Sequence, residues 1–192
     1  MDIVVLFCAI ACLPLSGAFL NPWHRSVLAP LQASSSLEAT ALENKLAVTE
    51  TIDKFGLSID LRDWDTFRGL FTDPVGFDYS SIGEKAGDAL HPDDVVGTAS
   101  KDLGNFQATQ HVITNHVIDL DGESAHCRAH VRAVHFLPND QGEATFEMGG
   151  HYEAKLIQEA GQWKINEWTF HFLWSSGNEE LFDIARNSAK QD

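Results

Sequence analysis

Basic side chains are scarce in this chain: 13 Lys and Arg stand against 28 Asp and Glu, a formal net charge of −15 over 192 residues. Nucleic-acid phosphates and anionic membrane surfaces both call for a basic footprint, so this balance argues against either partner. Its main consequence is solubility. Cysteine is nearly missing: there are three, Cys8, Cys12 and Cys127. The first two sit in an N-terminal apolar segment expected to be cleaved away. That leaves one thiol, which excludes an internal disulfide in the mature domain. No CxxC spacing occurs, which argues against a thiolate metal site. Bilayer-length apolar runs are lacking too, since IVVLFCAIACLP (residues 3–14) is too short to span comfortably. No internal repeat or low-complexity tract occurs in the domain. What is present is an ordinary apolar fraction, 44%, with a mean hydropathy of −0.15, enough for one buried core.

The run at 3–14 has signal-peptide length, and Ser16-Gly17-Ala18 supplies small residues for cleavage, so residues 1–18 are expected to be a signal peptide. Asp2 is unusual where a basic residue is the norm. Residues 19–37 hold no acid but do hold Arg25, Pro22, Pro30 and Ser34 to Ser36, a composition like a transit peptide. Together the two segments resemble a bipartite presequence, and the expected destination is a plastid reached by the secretory route. Plain secretion followed by a linker is the alternative. The folded domain is expected to occupy residues 38–192.

Within it, Leu42, Leu46, Val48, Ile52, Phe55 and Leu57 recur at roughly helical spacing and predict a helix over 37–59. A short helix is expected at 64–71 with Asp63 as its N-cap, a strand at 75–81, and a helix from Pro92 to about Leu103 ended by Gly104. Strands follow at 107–119, 124–137, 143–158 and 162–174, turned at Asp121-Gly122, Pro138 to Gly142 and Ala160-Gly161, with a last helix at 178–188. Helices first and an antiparallel meander after make an α+β fold: a curved sheet wrapped into a cone-shaped α+β barrel with an apolar mouth.

The stretch AHCRAHVRAVH (125–135) alternates cleanly. Ala125, Cys127, Ala129, Val131 and Ala133 should face inward. His126, Arg128, His130 and Arg132 should face out, as solvated groups or at a subunit contact. His135 shares the inward parity. An imidazole aimed inside either has a structural partner or moves protons. Trp64, Trp163, Trp168 and Trp174, with Phe67, Phe71, Phe77, Phe170 and Phe172, read as core first. Phe170 and Phe172 are also expected at the cavity mouth, where they would favour a flat apolar substrate.

The strings IDLRDWDTFRGLF (59–71), FDYSS (77–81), ATQHVITN (108–115), the late His135 and GQWKINEW (161–168) carry a resemblance. Together they resemble the SnoaL-like branch of the nuclear-transport-factor-2 superfamily, and within it the scytalone dehydratases. The resemblance implies that Asp60, His111 and His135 are the catalytic acid–base set. It implies that Tyr79 is one of two tyrosines holding a water against the substrate carbonyl. The other tyrosine position is Ile59 here, and the family's serine and asparagine fall on Gly150 and Tyr152. The acid–base set is thus kept while the orienting set, with Ile59 and Tyr152 as substrate contacts, is changed. Eliminating water from a β-hydroxy carbonyl compound needs a base for the C–H and an acid for the hydroxyl, roles two imidazoles can fill without a cofactor. The expected function is therefore a cofactor-independent dehydratase or isomerase for a small cyclic or polyketide-like hydroxy-carbonyl compound. The alternative is a non-catalytic ligand-binding domain of the same fold. No metal is expected: two His and one carboxylate can bind iron, but no compact H-x-D/E signature accompanies them. The expected partners are a small apolar or aromatic substrate and, from related proteins, further copies of the chain in a dimer or trimer.

Overall fold

A computed structural model of the chain describes residues 25–84 and 86–188, with side chains from Leu37 onward. The proposed signal peptide and residues 19–24 lie outside the described residues. The chain divides into two compact units, 1–38 and 39–192. In the first, the backbone is helical from Arg25.

The first helix, α1 (Arg25–Leu61), therefore begins twelve residues before the expected start at 37. Its buried stripe is Val48, Ile52, Phe55 and Ile59, at intervals of 4, 3 and 4 residues. Leu42, Leu46 and Leu57 are not part of that stripe: they are 60, 61 and 57% exposed. Two residues is a rotation of about 200° around a helix, which turns Leu46 and Leu57 away from the stripe. Next comes α2 (Trp64–Gly69), whose N-cap is Asp63 as expected: its carboxylate accepts from the Thr66 N–H at 3.0 Å.

Six strands form one sheet in the order β2-β1-β6-β5-β4-β3. They are β1 (Phe71–Asp78), β2 (Gly87–Leu90), β3 (Ala108–Asp121), β4 (Ser124–Phe136), β5 (Thr145–Glu159) and β6 (Gln162–Gly177), with α3 (Pro92–Leu103) inserted after β2. The meander β3 to β6 is antiparallel as expected, but β1 joins β6 in parallel, so the sheet is mixed. It is curved and unclosed, and with the helices it makes the cone-shaped α+β architecture. The expected strand at 75–81 ends early, because the Asp78 carboxylate accepts the Ser80 N–H and turns the chain into a 3-10 turn at Ser80–Ile82. The hairpin glycines Gly122 and Gly161 take φ of 59° and 77°, the left-handed values such tight turns require.

Two irregularities decide which side chains face inward. In β3 the register shifts between Thr114 and Val117, with Asn115 at φ 59°. Thr109, His111 and Ile113 precede the bulge on the inner face; His116, Ile118 and Leu120 take over after it. In β6 an extra residue, Leu173, lies between the pairs Phe172–Gly150 and Trp174–Gly149. The bulge reverses the parity, so Trp174, expected in the core, is 43% exposed on the outer face beside Gly149. On that face His126 pairs with Glu153 at 2.6 Å, and His130 meets Asn115 at 3.1 Å.

The main core stacks on Phe55, which lies 3.8 Å from Trp168 at 18° and 5.2 Å from Phe67. Each such ring pair contributes about 0.5–1.5 kcal/mol beyond burial. A smaller cluster of Phe106, Leu181 and Ala185 seats the last helix, α4 (Leu181–Ser188), against α3 and the end of β4. It starts three residues later than the expected 178.

Candidate active site

The last turn of α1 is closed by a residue in left-handed conformation. Arg62 has φ 59°, its N–H reaches the Ile59 carbonyl at 3.1 Å, and the Asp63 N–H reaches the Ser58 carbonyl at 2.9 Å. This is the helix-ending pattern that usually uses glycine. A non-glycine residue here costs on the order of 1 kcal/mol. Its guanidinium compensates by donating to the Thr109 hydroxyl at 2.8 Å and the Phe106 carbonyl at 3.3 Å. The helix end is thereby tied to the start of β3.

That tie sets Asp60 against His111. The Asp60 carboxylate accepts the His111 backbone N–H at 2.7 Å, the Thr109 hydroxyl at 2.9 Å, and the His111 ring through Nδ1 at 2.7 Å. Burial pushes its pKa up, but the bonds from His111 and Thr109 and the imidazole's charge outweigh that, and the net shift is downward. An ionised carboxylate can only accept, so the His111 ring donates from Nδ1, and in its neutral form the lone pair is on Nε2. The approach of β3 to α1 is close enough to need Gly56: a Cβ there would stand 2.8 Å from His111 Cβ.

His135 meets His111 edge to face, with ring centroids 5.9 Å apart at 86°. It is 2% exposed. Phe182 and Phe106 enclose it at 4.7 and 5.2 Å. Nδ1 makes one long contact, 3.4 Å, to the Phe146 carbonyl, which places the ring proton on Nδ1. Burial and the neighbouring His111 lower its pKa to about 3, so the ring is neutral at physiological pH.

Both rings line a cavity of about 540 Å³, as do Tyr79, Ile59, Tyr152 and Phe170. Tyr79 accepts a hydrogen bond from Trp168 Nε1 at 3.2 Å. Burial drives its pKa up to about 12 and that of Tyr152 well above the usual value, so both phenols keep their protons. One sequence expectation needs correction. Phe172 is not on the cavity wall; it packs beside Phe170 at 6.5 Å, and its N–H bonds to the Ser81 hydroxyl. Asp60 sits behind the wall and reaches the cavity through His111.

The sequence reading missed Thr109, whose inward parity with His111 was there to be seen, and Arg62, whose role rests on a positive φ that an arginine does not advertise. It also missed the rim contributed by α3 and α4, where Asp102, Arg186 and Phe182 line the opening and Arg186 pairs with Asp102 and Asp183 at 3.5 and 2.6 Å. Cys127 is buried, and burial with the nearby Asp53 raises its pKa to about 11, so it is a packing residue rather than a nucleophile. Among the described residues, no cluster of three or more His, Cys, Asp or Glu is arranged as a metal site.

Residues 40–169 match the SnoaL-like domain. A scytalone dehydratase-like protein of Metarhizium anisopliae is 29% identical over 133 residues, 65% of this chain and 70% of that one. Among solved structures, a protein from Kribbella flavida superposes with a TM-score of 0.70 at 26% identity, over 74% of this chain and 99% of that one. A hexachlorocyclohexane dehydrochlorinase of Novosphingobium barchaimii shares the fold, with a TM-score of 0.62 at 12% identity over 74% of this chain and 94% of that one.

Proposed function

Because this chain belongs to the SnoaL-like domain family, we propose that it is a lyase or isomerase, in the first place a dehydratase. Its substrate would be a small cyclic or polyketide-like hydroxy-carbonyl compound, and no cofactor would take part. The reading rests on one observation above the others: a carboxylate-backed imidazole and a second, neutral imidazole meet edge to face on the wall of one apolar cavity. Relatives described as scytalone dehydratase-like and as a dehydrochlorinase, both elimination chemistries by name, support it.

Each group has one role that its surroundings allow. His111 Nε2 takes the proton from the carbon next to the carbonyl; the Asp60 carboxylate stabilises the imidazolium that results. Tyr79 donates to the carbonyl oxygen as enolate character grows there. His135, neutral and protonated on Nδ1, accepts the substrate hydroxyl's hydrogen bond at Nε2 and holds that oxygen near His111. The imidazolium then returns its proton to the departing oxygen, the C–O bond breaks, and water leaves with no net change in the protein. Isomerisation needs only that the proton return to a different carbon.

The test is a dehydration screen over β-hydroxy ketones, followed by His111→Ala and His135→Asn. Both variants are expected to lose turnover while unfolding as cooperatively as the parent. Unchanged turnover in both would falsify the acid–base assignment. Tight ligand binding with no turnover in the parent would favour the ligand-binding alternative.

A further inference from the structure

Residue 62 stands in the left-handed conformation, φ 59°, where a helix end ordinarily carries glycine. The chain places a long, half-buried cation there instead. We propose that Arg62 and Thr109 are positioning residues: the guanidinium fixes the Thr109 hydroxyl, the hydroxyl fixes the Asp60 carboxylate, and the carboxylate holds the His111 ring on the cavity wall. This deepens the dehydratase reading and rests on it for its meaning in catalysis.

The direction of every bond in this line is forced. A guanidinium can only donate, so the 2.8 Å bond from Arg62 Nη1 occupies a lone pair of the Thr109 hydroxyl. The single hydroxyl proton must then point elsewhere, and Asp60 Oδ1 accepts it at 2.9 Å. The same Oδ1 accepts the His111 Nδ1 proton at 2.7 Å, and Oδ2 accepts the His111 backbone N–H at 2.7 Å. The hydroxyl thus has a cation on its oxygen and a carboxylate on its proton. Hydrogen bonds to charged partners are about twice as strong as neutral ones, and each polarises the next. Thr109 is 8% exposed, so little water competes for it. The other terminal nitrogen of Arg62 is anchored on the Phe106 carbonyl at 3.3 Å. Glycine would end the helix at lower backbone cost and supply none of these bonds.

Four titratable or charged groups act on Asp60 from the elements around it: Arg62 after α1, His111 on β3, His135 on β4 and Tyr152 on β5. Replacing Arg62 leaves the other three in place. Neither Arg62 nor Thr109 lines the cavity, so any effect on chemistry must pass through Asp60 and His111.

The experiment uses nuclear magnetic resonance on the full-length chain and needs no ligand. Carbon-13 in the aspartate carboxyls follows the Asp60 titration, its signal being the one absent from Asp60→Asn. Nitrogen-15 in the histidines follows the His111 Nδ1 proton. In the parent, Asp60 is expected to titrate below the ordinary carboxylate range. Arg62→Gly is expected to move that titration upward and to speed exchange of the Nδ1 proton about tenfold, the loss of roughly one hydrogen bond's fixing. A residue that only ended the helix would be replaced by glycine without loss, so parent values for both signals in Arg62→Gly would overturn the proposal. Thr109→Val is expected to act in the same direction, and in that background Arg62→Gly should add little to the exchange rate. An undiminished effect there would mean that the guanidinium does not act through the hydroxyl, and would overturn it too. Should Arg62→Gly unfold, Arg62→Met keeps the side-chain stem and carries the same expectations. A protein that meets them all yet dehydrates nothing would sink the dehydratase assignment and leave this one standing.

Discussion

Replacing His135 with leucine should make the protein inactive and, in mild acid, more stable. The ring is 2% exposed and boxed in by Phe106, Phe182 and Phe146 at 5.2, 4.7 and 6.4 Å. Burial, reinforced by His111, lowers its pKa to about 3 in the folded chain. The unfolded chain titrates this side chain near the usual value of about 6.5. Between those two values the unfolded state binds a proton that the folded state refuses, so stability falls as pH falls. One proton corresponds to about 1.4 kcal/mol per pH unit, or roughly 2 kcal/mol by pH 5. That is a large share of the 5–15 kcal/mol a domain has to lose. Leucine has a similar volume, takes up no proton and gives up only the long 3.4 Å contact to the Phe146 carbonyl. Urea unfolding followed by tryptophan fluorescence, at steps from pH 7 to 4.5, gives both curves. The wild-type curve should be steeper by about 1.4 kcal/mol per unit below pH 6. Parallel curves would mean that His135 is charged or solvated in the folded protein, and the reasoning about this site would fail with it.

Asp60→Asn should reduce turnover roughly 10³-fold, because an amide no longer fixes the Nδ1–H tautomer of His111. Stability should fall by about 2–3 kcal/mol, since the amide nitrogen faces one of three donors. The Asp60 pKa is lowered on folding, so its contribution is present above about pH 4 and lost on further acidification. The variant should lack that part of the acid sensitivity in urea titrations between pH 5 and 3; an equal slope would count against the charge on Asp60. Gly56→Ala places a methyl 2.8 Å from His111 Cβ and 3.2 Å from Ile113 Cδ1. It should cost about 1–3 kcal/mol by thermal unfolding and lower kcat more than KM, as β3 is pushed off α1. Full activity in this variant would show that the His111 position is not set by that contact.

The strand β4 could be read from residues because one face packs on the core and the other meets water, which forces alternation. The same rule located His135. It failed in β6, where the bulge at Leu173 reversed parity and put Trp174 outside. A bulge carried by ordinary residues leaves no mark in composition. In α1 the leucines outnumbered the buried positions; periodicity gave the helix but not which stripe would pack. The convergence of Asp60, His111 and His135 was legible through the family's strings. The arrangement behind it was not, because Arg62 and Thr109 act through a backbone conformation and a hydroxyl whose direction only the fold decides. Phe182 entered the site from a short helix whose docking place the chain does not announce.

The carboxylate of Asp60 never touches the space where a ligand would sit. The clamp of Arg62, Thr109 and Asp60 can therefore be inherited intact while Ile59, Met148, Val131 or Tyr152 on the wall are rewritten for another molecule. The groups that aim the base and those that shape the pocket around it are thus separable. A designer seeking new substrates should vary the wall around His111, His135 and Tyr79 and leave the clamp alone.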